Sequence, residues 1–260
     1  MIRFGLLFSA TFAISIGMLS ALPSYNGSRE QERWIETVSA QTVQHTNQRD
    51  NQASTTWHFD HLESIDGHPT TMSGNPQLIE TPYGKAIQFN GVDDALFVDV
   101  HPLAGASTFT WEVIFRPDAD GQEAQRFFHL QEVDQATGKD TDNRMLFETR
   151  LADGKWCLDS FATTNGQGLT LIDNKLLHPA GKWFSLAAVY DGKVFSNYVD
   201  GVLQGSGEIH LVPQSAGRSS LGARINKVSF FKGALLTARM TPRALAPNEF
   251  LKVPSPVAGK

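Results

Sequence analysis

From residue 57 onward the chain is written in short runs of period two, each closed by Gly, Asp, Asn or Pro. In order they read "TWHFDHL", "KAIQFN", "ALFVDV", "STFTWEVIFRP", "RFFHLQEV", "RMLFETRL", "KWCLDSFA", "LTLID", "KWFSLAAVYD", "VFSNYVD", "GEIHLV", "SSLGARI" and "VSFFKGALLTARM". About a dozen strands so closely spaced, with Asp-Gly turns at 153–154, 191–192 and 200–201, argue for an antiparallel sandwich. Asp and Gly tolerate the positive φ that two-residue hairpin loops require. The fold class expected is therefore all-β, a two-sheet jelly roll. One stretch breaks the pattern: "TPRALAPNEFLKV" predicts a short C-terminal helix, with Thr241 as N-cap and Pro242 at the first helical position.

The flanks are of another kind. Residues 1–22 set one arginine, Arg3, ahead of an apolar stretch that ends in small residues, the pattern of a secretory signal; an uncleaved anchor is the alternative. Residues 23–55 are dense in Gln, Asn, Ser and Thr and predict a polar flexible linker. Residues 56–252 form the expected domain, and 253–260 a tail. Localisation is then secreted, or periplasmic or extracellular, with membrane contact only through an uncleaved leader. Cys157 is the one cysteine, so no intrachain disulfide forms and the core must hold the fold; between Trp156 and Leu158 it is expected to be packed. The formal charge of −5 falls to −6 when Arg3 leaves with the signal, which argues against a nucleic-acid partner.

Four stretches carry a resemblance: "YGKAIQFNGVDDALFVD" (83–99), "STFTWEVIFRP" (107–117), "GKWFSLAAVYDGKVFSNYVDGVLQGSGEI" (181–209), and the closing "SSLGAR" and "FFKGALLTARMTPRALAPNEF" within 219–250. Over about residues 56–252 the chain resembles the laminin-G-like branch of the concanavalin A-like lectin and glucanase superfamily. The resemblance implies a curved inner sheet whose open concave face, or the loops at its rim, holds sugars. It also implies a structural calcium, for which Asp93, Asp94, Asp191 and Asp200 are candidates. Against that, Leu236 and Thr237 stand where relatives commonly carry an Asp-Glu pair, so the expectation is no cofactor, with calcium as the alternative.

The charged strand is "RMLFETR", residues 144–150. Alternation puts Arg144, Leu146, Glu148 and Arg150 on one face and Met145, Phe147, Thr149 and Leu151 on the other. Neighbouring runs add Arg126, His129, Gln131 and Glu132, then Trp156 and Asp159. An aromatic ring beside planar polar groups suits sugar recognition, and two arginines suit an acidic sugar. The ligand-binding candidates are Arg144, Glu148, Arg150, Trp156, Asp159, His129 and Glu132. Cross-strand ion pairs on a solvated sheet are the competing reading of the row. Trp111 and Trp183 are expected in the core.

Enzyme patterns fit poorly. The one Glu-x-Asp, Glu132-Val133-Asp134, lacks the third acid of the hydrolases that share this fold. "RMLFETR" resembles the Arg-x-Glu-x-Arg strand of alginate-lyase-like jelly rolls with its arginines two residues too far apart. Serine-hydrolase, phosphate-loop and zinc motifs are absent from the sequence. The leading expectation is a secreted glycan-binding or adhesion-type module, a lectin whose partner is a polysaccharide or glycan of acidic or neutral type. A lyase or glycoside hydrolase is the alternative, with Glu148, Asp159 or His129 moving protons. A non-catalytic protein-interaction domain is the third.

Overall fold

The computed structural model of the protein describes residues 53–256. The expectations on 1–22, on the linker before residue 53 and on 257–260 lie outside the described residues. Six strands open the chain: β1 (Thr55–His58), β2 (Ser64–Ile65), β3 (His68–Ser73), β4 (Gln77–Thr81), β5 (Gly84–Asn90) and β6 (Ala95–Val98). Six follow: β7 (Phe109–Pro117), β8 (Ala124–Val133), β9 (Asp140–Ala152), β10 (Lys155–Thr164), β11 (Gln167–Ile172) and β12 (His178–Pro179). The last are β13 (Phe184–Tyr190), β14 (Val194–Val199), β15 (Val202–Glu208), β16 (Gly217–Leu221) and β17 (Lys232–Thr241).

Every pairing is antiparallel. An eight-stranded sheet runs β15-β14-β13-β7-β17-β5-β4, with β1 against the second half of β17. A nine-stranded sheet runs β11-β10-β9-β8-β16-β6-β3-β2, with β12 against β10. The core lies between them and is aromatic. From β7, Trp111 meets Phe147 of β9 at 4.2 Å between ring centroids and Phe128 of β8 at 4.9 Å. Phe115 meets Phe127 at 4.7 Å and Trp156 at 4.9 Å. The expected two-sheet sandwich is present.

Turn chemistry explains the hairpins. Asp153-Gly154 and Asp200-Gly201 take positive φ at both residues, as two-residue loops demand. Asp191-Gly192 differs: the β13–β14 loop includes Lys193, and the Asp191 carboxylate accepts the amides of Lys193 and Val194 at 2.8 and 2.7 Å. The runs "SSLGARI" and "VSFF" are not continuous strands, because 222–231 is a loop between β16 and β17.

The predicted C-terminal helix is corrected to a single 3-10 turn, Pro247–Glu249. Thr241 cannot cap a helix because it pairs with Thr110 as the last residue of β17. Beyond it the chain is held extended: Thr110 Oγ1 donates to Arg243 O and accepts from Leu245 N, and Leu245 and Phe250 pack on Ala187 and Val189. Tertiary bonds override the local propensity here. Trp183 is likewise corrected. It is half-buried on the outward side of the eight-stranded sheet with Tyr83 and Arg116, whereas Trp111 is in the core as expected.

Under this C-terminal strap lies Glu112, fully buried, bonded by Arg239 at 2.6 and 3.0 Å and by the Leu251 amide at 2.6 Å. Arg239→Ala is expected to cost about 3 kcal/mol or more, because it strands a buried charge. Lys193→Ala, which breaks the exposed Lys193–Glu208 pair, should cost under about 1 kcal/mol. Urea midpoints of the two variants check this; equal losses would refute it.

Candidate functional site

On β9 the inward residues Met145, Phe147, Thr149 and Leu151 are buried between the sheets, so Arg144, Leu146, Glu148 and Arg150 face away from the core. Register brings residues of the same facing from β10 beside them: Asp159 opposite Glu148, Phe161 opposite Leu146 and Cys157 opposite Arg150. On the other side Arg126 of β8 stands opposite Glu148. A bulge between Arg126 and Phe128 puts both Phe127 and Phe128 in the core and re-aims Arg126 outward. Thr170 of β11 and Arg224 of the 222–231 loop complete the walls of a cavity of about 180 Å³.

Glu148 and Arg150 of the row are ion-paired, and the carboxylates that take part are buried. Arg150 donates through Nε at 2.9 Å and Nη2 at 2.5 Å, both to Asp159 Oδ2, and its Nη2 lies 3.4 Å from Glu148 Oε2. Arg126 Nε lies 3.0 Å from Glu148 Oε2 in an ion pair without hydrogen-bond alignment. Glu148 is 5 % exposed and Asp159 1 %, far from a solvated ladder. Burial, then the Asp159 charge, pushes the Glu148 carboxyl above its ordinary value against the pull of Arg126 and Arg150. Asp159 Oδ1, Arg144 Nε and Arg224 Nε are buried atoms with no hydrogen-bond partner among the described residues. Arg144 sits over the Phe161 ring at 5.3 Å.

Of the sequence candidates, Arg144, Glu148, Arg150 and Asp159 come together here. Trp156 does not: two strand positions of opposite parity cannot share a face, and Trp156 is fully buried against Phe115 and Phe184. His129 shares the outward facing, but it is covered. Its Nδ1 accepts the Ile225 amide at 3.0 Å, and burial, followed by the charges of Arg224 and Arg144, lowers it to about 3, so it is neutral. Glu132 lies outside the cavity and fixes loops, accepting from Ser215 N, Thr141 Oγ1 and Asn143 Nδ2; burial raises its carboxyl, and these bonds outweigh that and hold it low. Gln131 is spent on the carbonyls of Glu132, Thr141 and Asn143. Cys157 is buried beside Arg150 with Sγ 3.6 Å from Asn174 Oδ1, and burial pushes its thiol up. Arg224, Phe161 and Thr170 escaped the sequence reading: nothing local in "SSLGARI" or "LTLID" marks Arg224 or Thr170 as neighbours of β9, whereas Phe161, two positions after Asp159 in "KWCLDSFA", could have been placed on that face by alternation.

The calcium candidates are engaged with protein groups. Asp94 accepts the amides of Asn75 and Asn90, Asp93 accepts Asn90 Nδ2, and Asp200 accepts the Ser185 amide. Among the described residues no group of three or more His, Cys, Asp or Glu is arranged to hold a metal ion.

A family profile described as Laminin_G_3, concanavalin A-like lectin/glucanases superfamily, matches residues 90–250, which include every wall of the cavity. The chain belongs to this family. No curated protein sequence matches it. Among solved structures it is similar to domain 4 of AbnA, a GH43 extracellular arabinanase from Geobacillus stearothermophilus, solved in complex with arabinotriose. That match has a TM-score of 0.55 and 19% identity, covering 75% of this chain and 94% of that one. It is also similar to the botulinum neurotoxin serotype D binding domain, with a TM-score of 0.53 and 13% identity over 74% of this chain. There the match spans 48% of the toxin domain, about half its length. At these identities the likeness is one of fold.

The Glu148 shift has a measurable sign. A carboxyl raised above its ordinary 4.5 is favoured in its protonated form by folding; that stability is complete below 4.5 and is lost as pH rises through the folded value. Glu148→Gln removes the loss, so the melting temperature of the variant minus that of wild type should rise with pH above about 4.5. The lowered imidazoles of His101 and His129 contribute the opposite slope up to 6.5, equally in both proteins, and cancel in the difference. A pH-independent difference would mean that Glu148 titrates as an ordinary carboxyl.

Proposed function

We propose that the chain is a saccharide-binding module that seats its ligand in the cavity on the outward face of the nine-stranded sheet. One observation carries this reading. Asp159, almost wholly buried, lines an open cavity and keeps Oδ1 without a donor, because Arg150 Nε and Nη2 both donate to Oδ2. A buried acceptor left unmet costs about 1–3 kcal/mol, and a ligand hydroxyl relieves that cost. Leu146 and Phe161 supply apolar surface for the sugar ring between the polar groups. The arabinotriose complex of the AbnA domain supports saccharide binding on this fold, and the toxin domain is likewise named a binding domain. Export to an extracellular or periplasmic setting belongs to the same proposal, supported by the leader-like residues 1–22.

A catalytic reading has one observation of its own, the raised Glu148 beside Asp159, which is the pairing that acid–base chemistry on glycosidic bonds uses. The two readings separate on one panel of soluble polysaccharides assayed for binding, new reducing ends and unsaturated ends. The expected result is binding without turnover, with Asp159→Asn weakening affinity by about 1.5–3 kcal/mol while native near-ultraviolet circular dichroism is kept. Turnover that Glu148→Gln abolishes at unchanged affinity would assign an enzyme instead.

A further inference from the structure

The arginines around the cavity fall into two kinds. Arg126 and Arg150 are matched by Glu148 and Asp159. Arg144 and Arg224 have no carboxylate within ion-pair distance among the described residues. The Nε atoms of both are buried and unpartnered, and the side chain of Arg144 donates only to the carbonyl of Asp142, at 3.2 Å. Their mutual charge is felt: burial and then Arg224 lower the Arg144 guanidinium below its ordinary value. With the two carboxylates already balanced, the cavity carries two unmatched positive charges.

The placement of Arg224 is built. Its loop is pinned to β8 by the Ile225 amide on His129 Nδ1 at 3.0 Å, by Arg126 Nη1 on Ser229 Oγ at 2.7 Å and by the Arg126 amide on Ser229 O at 2.8 Å. Within it Lys227 and Ser229 hold left-handed φ of 59° and 56°, a conformation that costs non-glycine residues energy and persists where the surroundings impose it. The loop thus sets Arg224 on the wall of the same cavity as Arg144.

We infer that Arg144 and Arg224 form a two-guanidinium subsite for an oxoanion, a carboxylate or sulfate group carried by the saccharide that Asp159 and Glu148 hold by its hydroxyls. It rests on the saccharide-binding reading of the same cavity and names the class of sugar. Planar forks of N–H donors match the paired oxygens of either anion, and the anion offsets the repulsion between the two guanidiniums. The acidic sugar expected from "RMLFETR" keeps Arg144 but exchanges Arg150, which Asp159 consumes, for Arg224.

The test uses the whole chain and four polymers: polygalacturonate, its carboxyl-reduced counterpart, dextran sulfate and dextran. Affinity is measured by titration calorimetry for wild type, Arg144→Gln, Arg224→Gln and the control Arg218→Gln, whose guanidinium pairs with Asp140 outside the cavity. Wild type should prefer one charged polymer to its neutral counterpart, and the preferred pair tells carboxylate from sulfate. Arg144→Gln and Arg224→Gln should each weaken that binding about ten- to hundredfold, and Arg218→Gln by about twofold or less. Without ligand, neither cavity variant should melt below wild type, since each removes a repelling charge; a drop of about 5 °C or more would make the pair structural and overturn the subsite. Equal binding of charged and neutral polymers overturns the subsite and leaves the saccharide reading standing. Binding to none of the four overturns both.

Discussion

The aromatic layer between the sheets decides everything outside it. Trp111 and Phe115 of β7 reach across to Phe127, Phe128, Phe147 and Trp156, which come from three successive strands of the other sheet. Each ring commits its strand to one register, because a slip of a single residue would exchange the whole inward set for the outward one. With Phe147 and Met145 locked inside, Arg144, Glu148 and Arg150 have nowhere to go but outward. The site is the reverse side of the core.

Outward is not the same as wet on this sheet. The side chains of the Lys193–Glu208 pair are about 70% exposed, whereas Glu148 and Asp159 are nearly closed off by the long side chains of β8 and β9 and by the 222–231 loop. Charges in such a place interact strongly with one another, and a polar atom that misses its partner is costly. Arg126 and Arg150 meet most of that demand. The unmatched remainder, Asp159 Oδ1 and the Arg144 and Arg224 guanidiniums, is what distinguishes this cavity from a surface ion-pair ladder.

The two-sheet fold was legible because period-two runs and Asp-Gly turns are local properties of the letters, and most strands fall where the runs do. The alternation in "RMLFETR" was legible for the same reason. Trp156 misleads where alternation is ignored, since it cannot face the same way as Asp159 three positions on. Arg224 is unreadable because its approach to β9 depends on the pairing of β16 with β8 and on a loop held by His129 and Arg126. The supposed helix after Thr241 failed for a related reason: Thr110 and Glu112, far away in sequence, capture the backbone that local propensity would have coiled.

The two ends of the folded domain belong to the same layer. β1 lies along the second half of β17, Thr55 beside Met240, and the strap that follows β17 packs on the outward side of the eight-stranded sheet. The cavity opens on the outward side of the other sheet. Both ends of the described domain therefore lie in the layer opposite the cavity. A change at either point of attachment alters no wall of the cavity.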